Sequence, residues 1–278
     1  MNPELHSTVA HALAEDIGPG DVTSELTIPA HVRARGVFLA KQPGVLSGLS
    51  VAEECFRQLD SAVDFRALVQ EGEAFAAGDH LAEVAGAARS LLTAERVALN
   101  FLQRLCGVAT LTAAFVCRVA DTRARIVDTR KTTPGLRLLE KRAVRAGGGH
   151  NHRFALYDGV LLKDNHIALA GGIGPAVAAA RAGAPHTLKI EVEVTSVHQL
   201  TEALAAGADI ALLDNMSVAE MADAVAFAVG RITLEASGGI NLDNVAAVAG
   251  TGVDLISIGA LTHSARAIDI SLELEPES

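Results

Sequence analysis

The sequence predicts an α/β protein in two parts: a βα barrel with parallel strands from about residue 125 onward, and a separate α+β domain before it. Three observations predict this. Beyond residue 125, short apolar runs alternate with Ala-rich stretches of helical spacing. DGVLLKDN (158–165) and DIALLDN (209–215) read as copies of one unit, and GADIALL resembles GVDLISI, which favours a barrel over a single open sheet. Half the residues are apolar and 20% charged, with no Trp and one Tyr, a composition suited to tightly packed layers rather than an aromatic recognition surface.

Taken in order, a helix is expected from about Pro3 to Glu15, followed by the acidic Gly-Pro turn DIGPGDVT (16–23), read as a loop. VRARGVFLAKQPGVLSG and VDFRALVQEGEAFAAGDHLAEVAG read as β-structure in short turns, with a helix near Val51 to Leu59 between them. Thr93 to about Ala120 forms one long helix. It sets Ala98, Phe101, Leu102 and Leu105 on one face and Arg96, Asn100 and Gln103 on another, where an Arg is ordinarily just solvated. The barrel strands are RIVDTRK, GVLLKDN, LKIEVEV, IALLDN, ITLEASG and LISIGA. Helices at 196–207 and 217–230 each close on Gly, and an exposed helix from Leu136 to Ala146 carries Arg137, Lys141 and Arg145 as decoration.

The net charge of −10 and pI near 5.4 argue against nucleic acid or an anionic membrane as the main partner, since either favours a broadly basic face. Cys55, Cys106 and Cys117 show neither CxxC spacing nor an even count, so free, mostly buried thiols in a reducing cytoplasm are expected. The N-terminus has no signal-peptide pattern, and no apolar run is read as long enough for a membrane span.

Position is the informative feature. Almost every strand candidate carries its polar residues at the C-terminal end, the face where βα barrels build their sites. Asp128, Arg130 and Lys131 end the first run, Lys163 and Asp164 the second, Glu191 and Glu193 the third and Asp214 the fourth; Ser237 and Gly259 end the last two. Alternation in LKIEVEV puts Glu191 and Glu193 on one interior face, where each needs a metal, a Lys or a polar ligand. Internal Lys–Glu pairing is the competing structural explanation. From Asp128 to His166 there are eight Lys and Arg against four Asp and Glu, so this segment is positive within an acidic chain. Arg130, Lys131, Arg153 and Lys163 converge on one mouth and read as an anion clamp.

GGGHNHR (147–153) supplies backbone freedom for close approach to a ligand, beside two His and an Arg. His150 and His152 offer a rival reading, a metal-dependent barrel hydrolase with Lys163, His186 or His198, and Asp214. That HxH follows a helix and glycines rather than ending a strand, which counts against it. SGGI (237–240) and SIGALTHSA (257–265) each follow a strand with small residues, as in a phosphate cradle before a helix N-terminus.

Together EDIGPGDVTS, TAERVALNFLQRLCGVAT, DTRKTTPGLRLLEKRAVRAGGGHNHR, DGVLLKDNHI, EVEV, LLDN, EASGGI and SIGALTHSA, in this order over nearly the whole chain, resemble the quinolinate phosphoribosyltransferase family. The resemblance implies an N-terminal α/β sandwich domain (1–104, joined by a returning C-terminal segment, 266–278) and an incomplete (β/α) barrel phosphoribosyltransferase domain (105–265). It implies decarboxylating transfer from phosphoribosyl pyrophosphate to quinolinate in NAD biosynthesis, with Mg²⁺, in a cytoplasmic homo-oligomer that is at least a dimer. Arg96 is donated across the interface in that picture, restoring a role to a residue that otherwise reads as solvated. By the same resemblance quinolinate meets Arg96, Thr129, Arg130, His152, Arg153 and Lys163. Phosphoribosyl pyrophosphate meets Lys131, Glu193, Asp214, Ser237, Gly238, Gly259 and His263. Glu193 and Asp214 hold the metal, and Lys131, Lys163, Glu193 and Asp214 carry the chemistry. A ModD-like paralogue, or a non-catalytic anion-binding protein on the same barrel, are the other readings.

Overall fold

The computed structural model describes residues 3 to 277. In chain order the first elements are α1 (Pro3–Ile17), α2 (Val22–Thr27), β1 (Arg33–Ala40), β2 (Gly44–Val45), α3 (Leu49–Leu59), β3 (Asp64–Ala67), β4 (Ala74–Phe75), β5 (His80–Ala87) and α4 (Ala88–Arg118). Then come β6 (Arg125–Val127), α5 (Arg137–Ala146), β7 (Val160–Leu162), α6 (Asp164–Ala170), α7 (Ile173–Gly183), β8 (Ile190–Val194) and α8 (Val197–Ala205). The last are β9 (Ile210–Asp214), α9 (Val218–Ala228), β10 (Thr233–Ser237), α10 (Val245–Gly250), β11 (Leu255–Ser257), α11 (Ala260–His263) and β12 (Ile270–Pro276).

Two compact units result. One comprises the described residues up to Ala113, with Thr132–Gly148 and the chain from Ser264; the other comprises Ala114–Lys131 and Gly149–His263. The segment Thr132–Gly148, expected within the barrel, therefore clusters with the first unit. The cause is visible in its contacts. Glu140, 0% exposed, accepts from Arg104 of α4 at 2.8 Å and from the Thr133 hydroxyl at 2.7 Å. A Cβ on Gly147 would lie 2.3 Å from the Ala109 carbonyl oxygen, so this glycine serves close approach to a helix backbone rather than to a ligand. Lys141, expected on an exposed face, is 3% exposed.

The first unit is built on an antiparallel sheet in the order β12-β1-β5-β3, with the C-terminal strand returning beside β1 from Ala40↔Ile270 to Ala34↔Pro276. One face carries Phe38 and Phe65, which meet Phe56 of α3 in mutual contact, with ring centroids 5.8 to 6.0 Å apart. Such edge-on and tilted pairs add to the area that they bury. The other face is laced with exposed ion pairs, Arg33–Glu277, Arg35–Glu275, Lys41–Glu273 and Arg66–Glu83. α4 proves long and apolar enough to cross a membrane by length and composition, contrary to expectation, but 56% of its apolar window is buried inside the protein. It is a core helix. DIGPGDVT also does more than loop: Asp21 caps α2, its carboxylate accepting from the Ser24 N–H at 3.0 Å.

The second unit is a parallel sheet in the order β6-β11-β10-β9-β8-β7, in which every pairing is parallel. β6 and β7 do not pair, so the barrel is incomplete, and His150 bridges to Val127 at that edge. Side chains alternate as expected. Ile190, Val192 and Val194 are fully buried outward, while Glu191 and Glu193 face inward. The internal repeat has a physical meaning. Asp209 accepts from the Ile190 N–H at 2.8 Å and Asp254 from the Leu234 N–H at 2.9 Å, so one turn aspartate tethers the start of the preceding strand twice over. Arg181 and Arg123 pair with these two carboxylates.

The two faces of the first sheet should respond differently to truncation. Phe38→Ala should cost about 3–5 kcal/mol in urea unfolding, as a large aromatic removed from a core. Arg35→Ala, which breaks only an exposed pair, should cost less than about 1 kcal/mol.

Candidate active site

The strand ends of the second unit enclose a cavity of about 320 Å³. Thr129, Arg130, Lys131, His152, Arg153 and Lys163 line one part; Glu193, Asp214, Glu235, Ser237 and Ser257 line the other, with Leu161 and Leu212 between. A larger hollow of about 610 Å³ lies on the exposed sheet face of the first unit, but its Arg35, Arg66, Glu83, Glu273 and Glu275 already take part in ion pairs. The smaller cavity instead gathers cations and carboxylates from several strand ends around one hollow.

Its construction begins at the end of β6. Asp128, read as a mouth residue, is 0% exposed and does not line the cavity. It accepts from the Asn151 side chain at 2.6 Å and from the His152 N–H at 2.8 Å, while its own N–H donates to the His150 carbonyl at 3.1 Å. These bonds hold residues 150–152 along the open edge of the barrel, and so place His152 and Arg153 inside it. The next residues turn: the Lys131 N–H donates to the Thr129 hydroxyl at 3.0 Å, and the Lys131 carbonyl accepts from Thr262 at 2.8 Å.

Arg130 and Arg153 are both partly shielded from solvent. The Arg153 guanidinium is pushed below its ordinary value, first by burial and then by the positive charge of Arg130; Glu191 and Asp158 oppose this. Arg153 Nη1 donates to the Gly159 carbonyl at 3.0 Å, while its Nε has no hydrogen-bond partner. Two desolvated like charges side by side favour an anion between them. Across the cavity Lys163 Nζ lies 3.5 Å from Glu193, so the Lys–Glu pairing set against a ligand role does form, loosely and with Lys163 half exposed. Asp214 accepts from Asn215 at 2.8 Å. The pair Glu193 and Asp214 is a donor set suited to a hard cation that takes its other ligands from substrate oxygens and water.

The floor holds three more titratable groups. His152 Nε2 lies 3.0 Å from Glu191 and 3.6 Å from Glu235, and these three side chains are the one group of three or more His, Cys or carboxylate ligands close enough to hold a metal among the described residues. Burial, then the Glu191 carboxylate, pushes Glu235 up to about 7, with His152 and Ser257 opposing and Asp128 adding to the rise. Glu235 was not singled out in the sequence, although Thr233, Glu235 and Ser237 alternate as Glu191 and Glu193 do. The HxH hydrolase reading finds no such support. His150 does not line the cavity, His186 is exposed, and His198 is 83% exposed beside Glu202.

Of the remaining expected residues, Gly259 lies against both Lys131 and His263: a Cβ on it would sit 3.0 Å from Lys131 Cδ and 3.2 Å from His263 Nε2. The two phosphate cradles differ from expectation. α10 starts only at Val245 and α11 has four residues, so neither turn opens directly into a long helix. What the first turn does present is consecutive glycines at positive φ, Gly238 at 95° and Gly239 at 61°. Arg96 is exposed on α4 in the first unit.

Two family models, the two domains of one family, match the chain. The family model for the quinolinate phosphoribosyl transferase N-terminal domain matches residues 21–106, and that for the C-terminal domain matches residues 108–273. The probable nicotinate-nucleotide pyrophosphorylase [carboxylating] of Bacillus subtilis is 45% identical over 98% of this chain and 93% of its own length. The nicotinate-nucleotide pyrophosphorylase [carboxylating] of Mycobacterium leprae is 45% identical over 96% of each chain. The crystal structure of NadC from Streptococcus pyogenes superposes with a TM-score of 0.96 at 44% identity, covering 100% of this chain and 99% of that one.

A Cβ on Gly238 would lie 2.1 Å from Asn215 Oδ1. Gly238→Ala should therefore cost about 1–3 kcal/mol of stability through backbone strain. It should also displace Asn215 from Asp214, weakening any ligand held there; thermal unfolding and ligand titration together check this.

Proposed function

We propose a division of labour for this site from one premise: the chain belongs to the quinolinate phosphoribosyltransferase family. It is a pentosyltransferase of NAD biosynthesis, joining quinolinate to phosphoribosyl pyrophosphate and giving nicotinate mononucleotide, pyrophosphate and CO₂. The observation that carries the residue assignment is the pair of crowded, half-buried guanidinium groups, Arg130 and Arg153, facing Glu193 and Asp214 across one cavity.

Quinolinate is a planar pyridine dicarboxylate. Arg130 and Arg153 match it by their forked donors, with Thr129, His152 and Lys163 completing that end. Their mutual repulsion is relieved when a dianion enters. Lys131 stands where charge builds on departing pyrophosphate. Glu193 and Asp214 hold the ribose hydroxyls and would hold Mg²⁺, which when bound neutralises the diphosphate. Ser237, Gly238, Gly259 and His263 take the 5′-phosphate through short side chains and turn N–H groups. Departure of pyrophosphate leaves an oxocarbenium-like ribosyl carbon, which the pyridine nitrogen attacks without a covalent enzyme intermediate. The positive nitrogen then stabilises the electron pair left on the adjacent carbon as CO₂ leaves.

The assembly in this reading is a homo-oligomer, at least a dimer, with exposed Arg96 donated to a neighbouring subunit's quinolinate end. A cytoplasmic setting is supported by three free thiols, of which Cys117 is exposed.

Purified protein supplied with quinolinate, phosphoribosyl pyrophosphate and Mg²⁺ should form nicotinate mononucleotide and CO₂ in equal amounts, with nothing formed when the ion is chelated. Binding of quinolinate without either product would overturn the assignment. Lys131→Ala should lower kcat by roughly 100-fold or more through loss of leaving-group stabilisation. Arg153→Ala should act mainly on the quinolinate KM, raising it roughly 30-fold; unchanged kinetics in both variants would remove these roles.

A further inference from the structure

The chain leaves the barrel twice beside residues assigned to phosphoribosyl pyrophosphate, after Lys131 and again after His263. The stretches beyond these crossings, from Thr132 and from Ser264, belong to the first unit. One side chain of that unit holds both. Arg104 of α4 donates from Nη1 to the Ala265 carbonyl at 2.9 Å and from Nη2 to the Thr133 hydroxyl at 3.4 Å. Its Nε and Nη2 also donate to Glu140 Oε1, at 3.2 and 2.8 Å. Glu140 in turn accepts from the Thr133 hydroxyl at 2.7 Å and, through Oε2, from the Thr133 N–H at 3.0 Å.

Stability does not explain this arrangement. The Glu140 side chain is 0% exposed and that of Arg104 25% exposed, so both give up hydration, and a buried ion pair can often be exchanged for well-packed apolar residues without loss. α5 is fixed without it: Leu139, Ala143 and Val144 are buried, and Gly147 closes on the Ala109 carbonyl. What an apolar pair could not do is grip backbone. The planar guanidinium meets a carbonyl, a hydroxyl and a carboxylate at once, which fixes the separation of two chain segments. Within the barrel the same two segments meet again, where the Thr262 hydroxyl donates to the Lys131 carbonyl at 2.8 Å. Lys131 is exposed, so where its ammonium stands depends on the backbone beneath it.

We propose that Arg104 and Glu140 are positioning residues for the phosphoribosyl pyrophosphate end of the site, fixing Lys131 and His263 by gripping the chain just beyond each. The inference rests on the function assigned above. Thr133 lies two residues past Lys131 and Ala265 two past His263, so a shift at either grip passes along a very short length of backbone. Stabilisation of a leaving group is sensitive to such shifts, since a displacement of about 1 Å can cost about 100-fold in rate. Neither Arg104 nor Glu140 lines the cavity, and both act through the residues they hold. The quinolinate end is built otherwise. Thr129 and Arg130 precede the first crossing, and Asp128 places His152 and Arg153 within the barrel unit itself.

The test uses variants of the whole chain, with quinolinate affinity read by calorimetry and steady-state kinetics read in phosphoribosyl pyrophosphate. Arg104→Met combined with Glu140→Leu removes the grip without stranding a buried charge. Quinolinate should bind within about twofold of wild type, while kcat falls roughly 30-fold and the KM for phosphoribosyl pyrophosphate rises roughly fivefold. Wild-type kcat in the folded double variant would overturn the proposal, as would quinolinate affinity falling in step with kcat. Should the double variant fail to fold, Arg104→Lys decides: a lysine keeps the charge beside Glu140, but its single ammonium cannot span Thr133 and Ala265. The same split between quinolinate affinity and kcat is expected there, and unchanged kcat would overturn the tether. A wild-type chain that binds quinolinate yet releases no pyrophosphate would remove the assigned reaction and the proposal with it. Wild-type turnover beside equally active variants removes the proposal alone.

Discussion

A parallel sheet whose end strands β6 and β7 do not pair leaves an edge that must be filled, and the buried carboxylate of Asp128 organises the segment that fills it. By accepting from Asn151 and from the His152 backbone it draws residues 150–152 along β6, where a further strand would otherwise run. A fully buried carboxylate is tolerated because its oxygens are hydrogen-bonded, two of the donors coming from that same short segment. The consequence is functional. The edge segment carries His152 and Arg153 into the barrel, so the device that completes the wall also equips the cavity.

The rest of the site follows from where charge can be held. Cations occupy the strand ends and the turns beyond them, where Lys131 and Lys163 keep contact with solvent. Acids are distributed by depth: Asp214 ends β9, Glu193 lies just inside the end of β8, and Glu191 and Glu235 sit deeper. A net charge of −10 over the chain leaves the positive field local to this mouth. Long-range attraction of anionic substrates is then weak at physiological salt, because the Debye length is about 8 Å. Selectivity has to come from short-range geometry, which is what a pair of planar guanidinium groups supplies to a planar dicarboxylate.

Much of this was legible because it depends on local pattern. The alternation in LKIEVEV sorted inward from outward side chains correctly, and the repeated Asp-led motifs correspond to Asp209 and Asp254 tethering strand starts in the same way. Most of the expected mouth residues also line one cavity. What escaped depends on contacts distant in sequence. Asp128 reads as a strand-end acid like Asp214, and nothing local reveals that its partners are 23 and 24 residues away. Lys141 and Glu140 sit in a stretch so rich in charge that it resembles a solvated helix, yet Glu140 is buried against Arg104, 36 residues earlier. α6, α7 and α10 went undescribed because they are short or built largely of Ala and Gly, with little polar contrast to give a period.

Glu235 shows how one rule applied twice would have reached further. TLEAS alternates as cleanly as IEVEV, and the same argument that put Glu193 in the interior puts Glu235 there. Its depth then carries the physical argument. An acid at a strand end can exchange with water at little cost, whereas one in mid-strand is desolvated and must keep its proton or find a cation. Burial, and then the Glu191 carboxylate beside it, push Glu235 up to about 7, while the one imidazole within reach of both acids opposes that rise. The strand alternation that builds the barrel core thus also decides which acids stand at the mouth and which are buried beneath it.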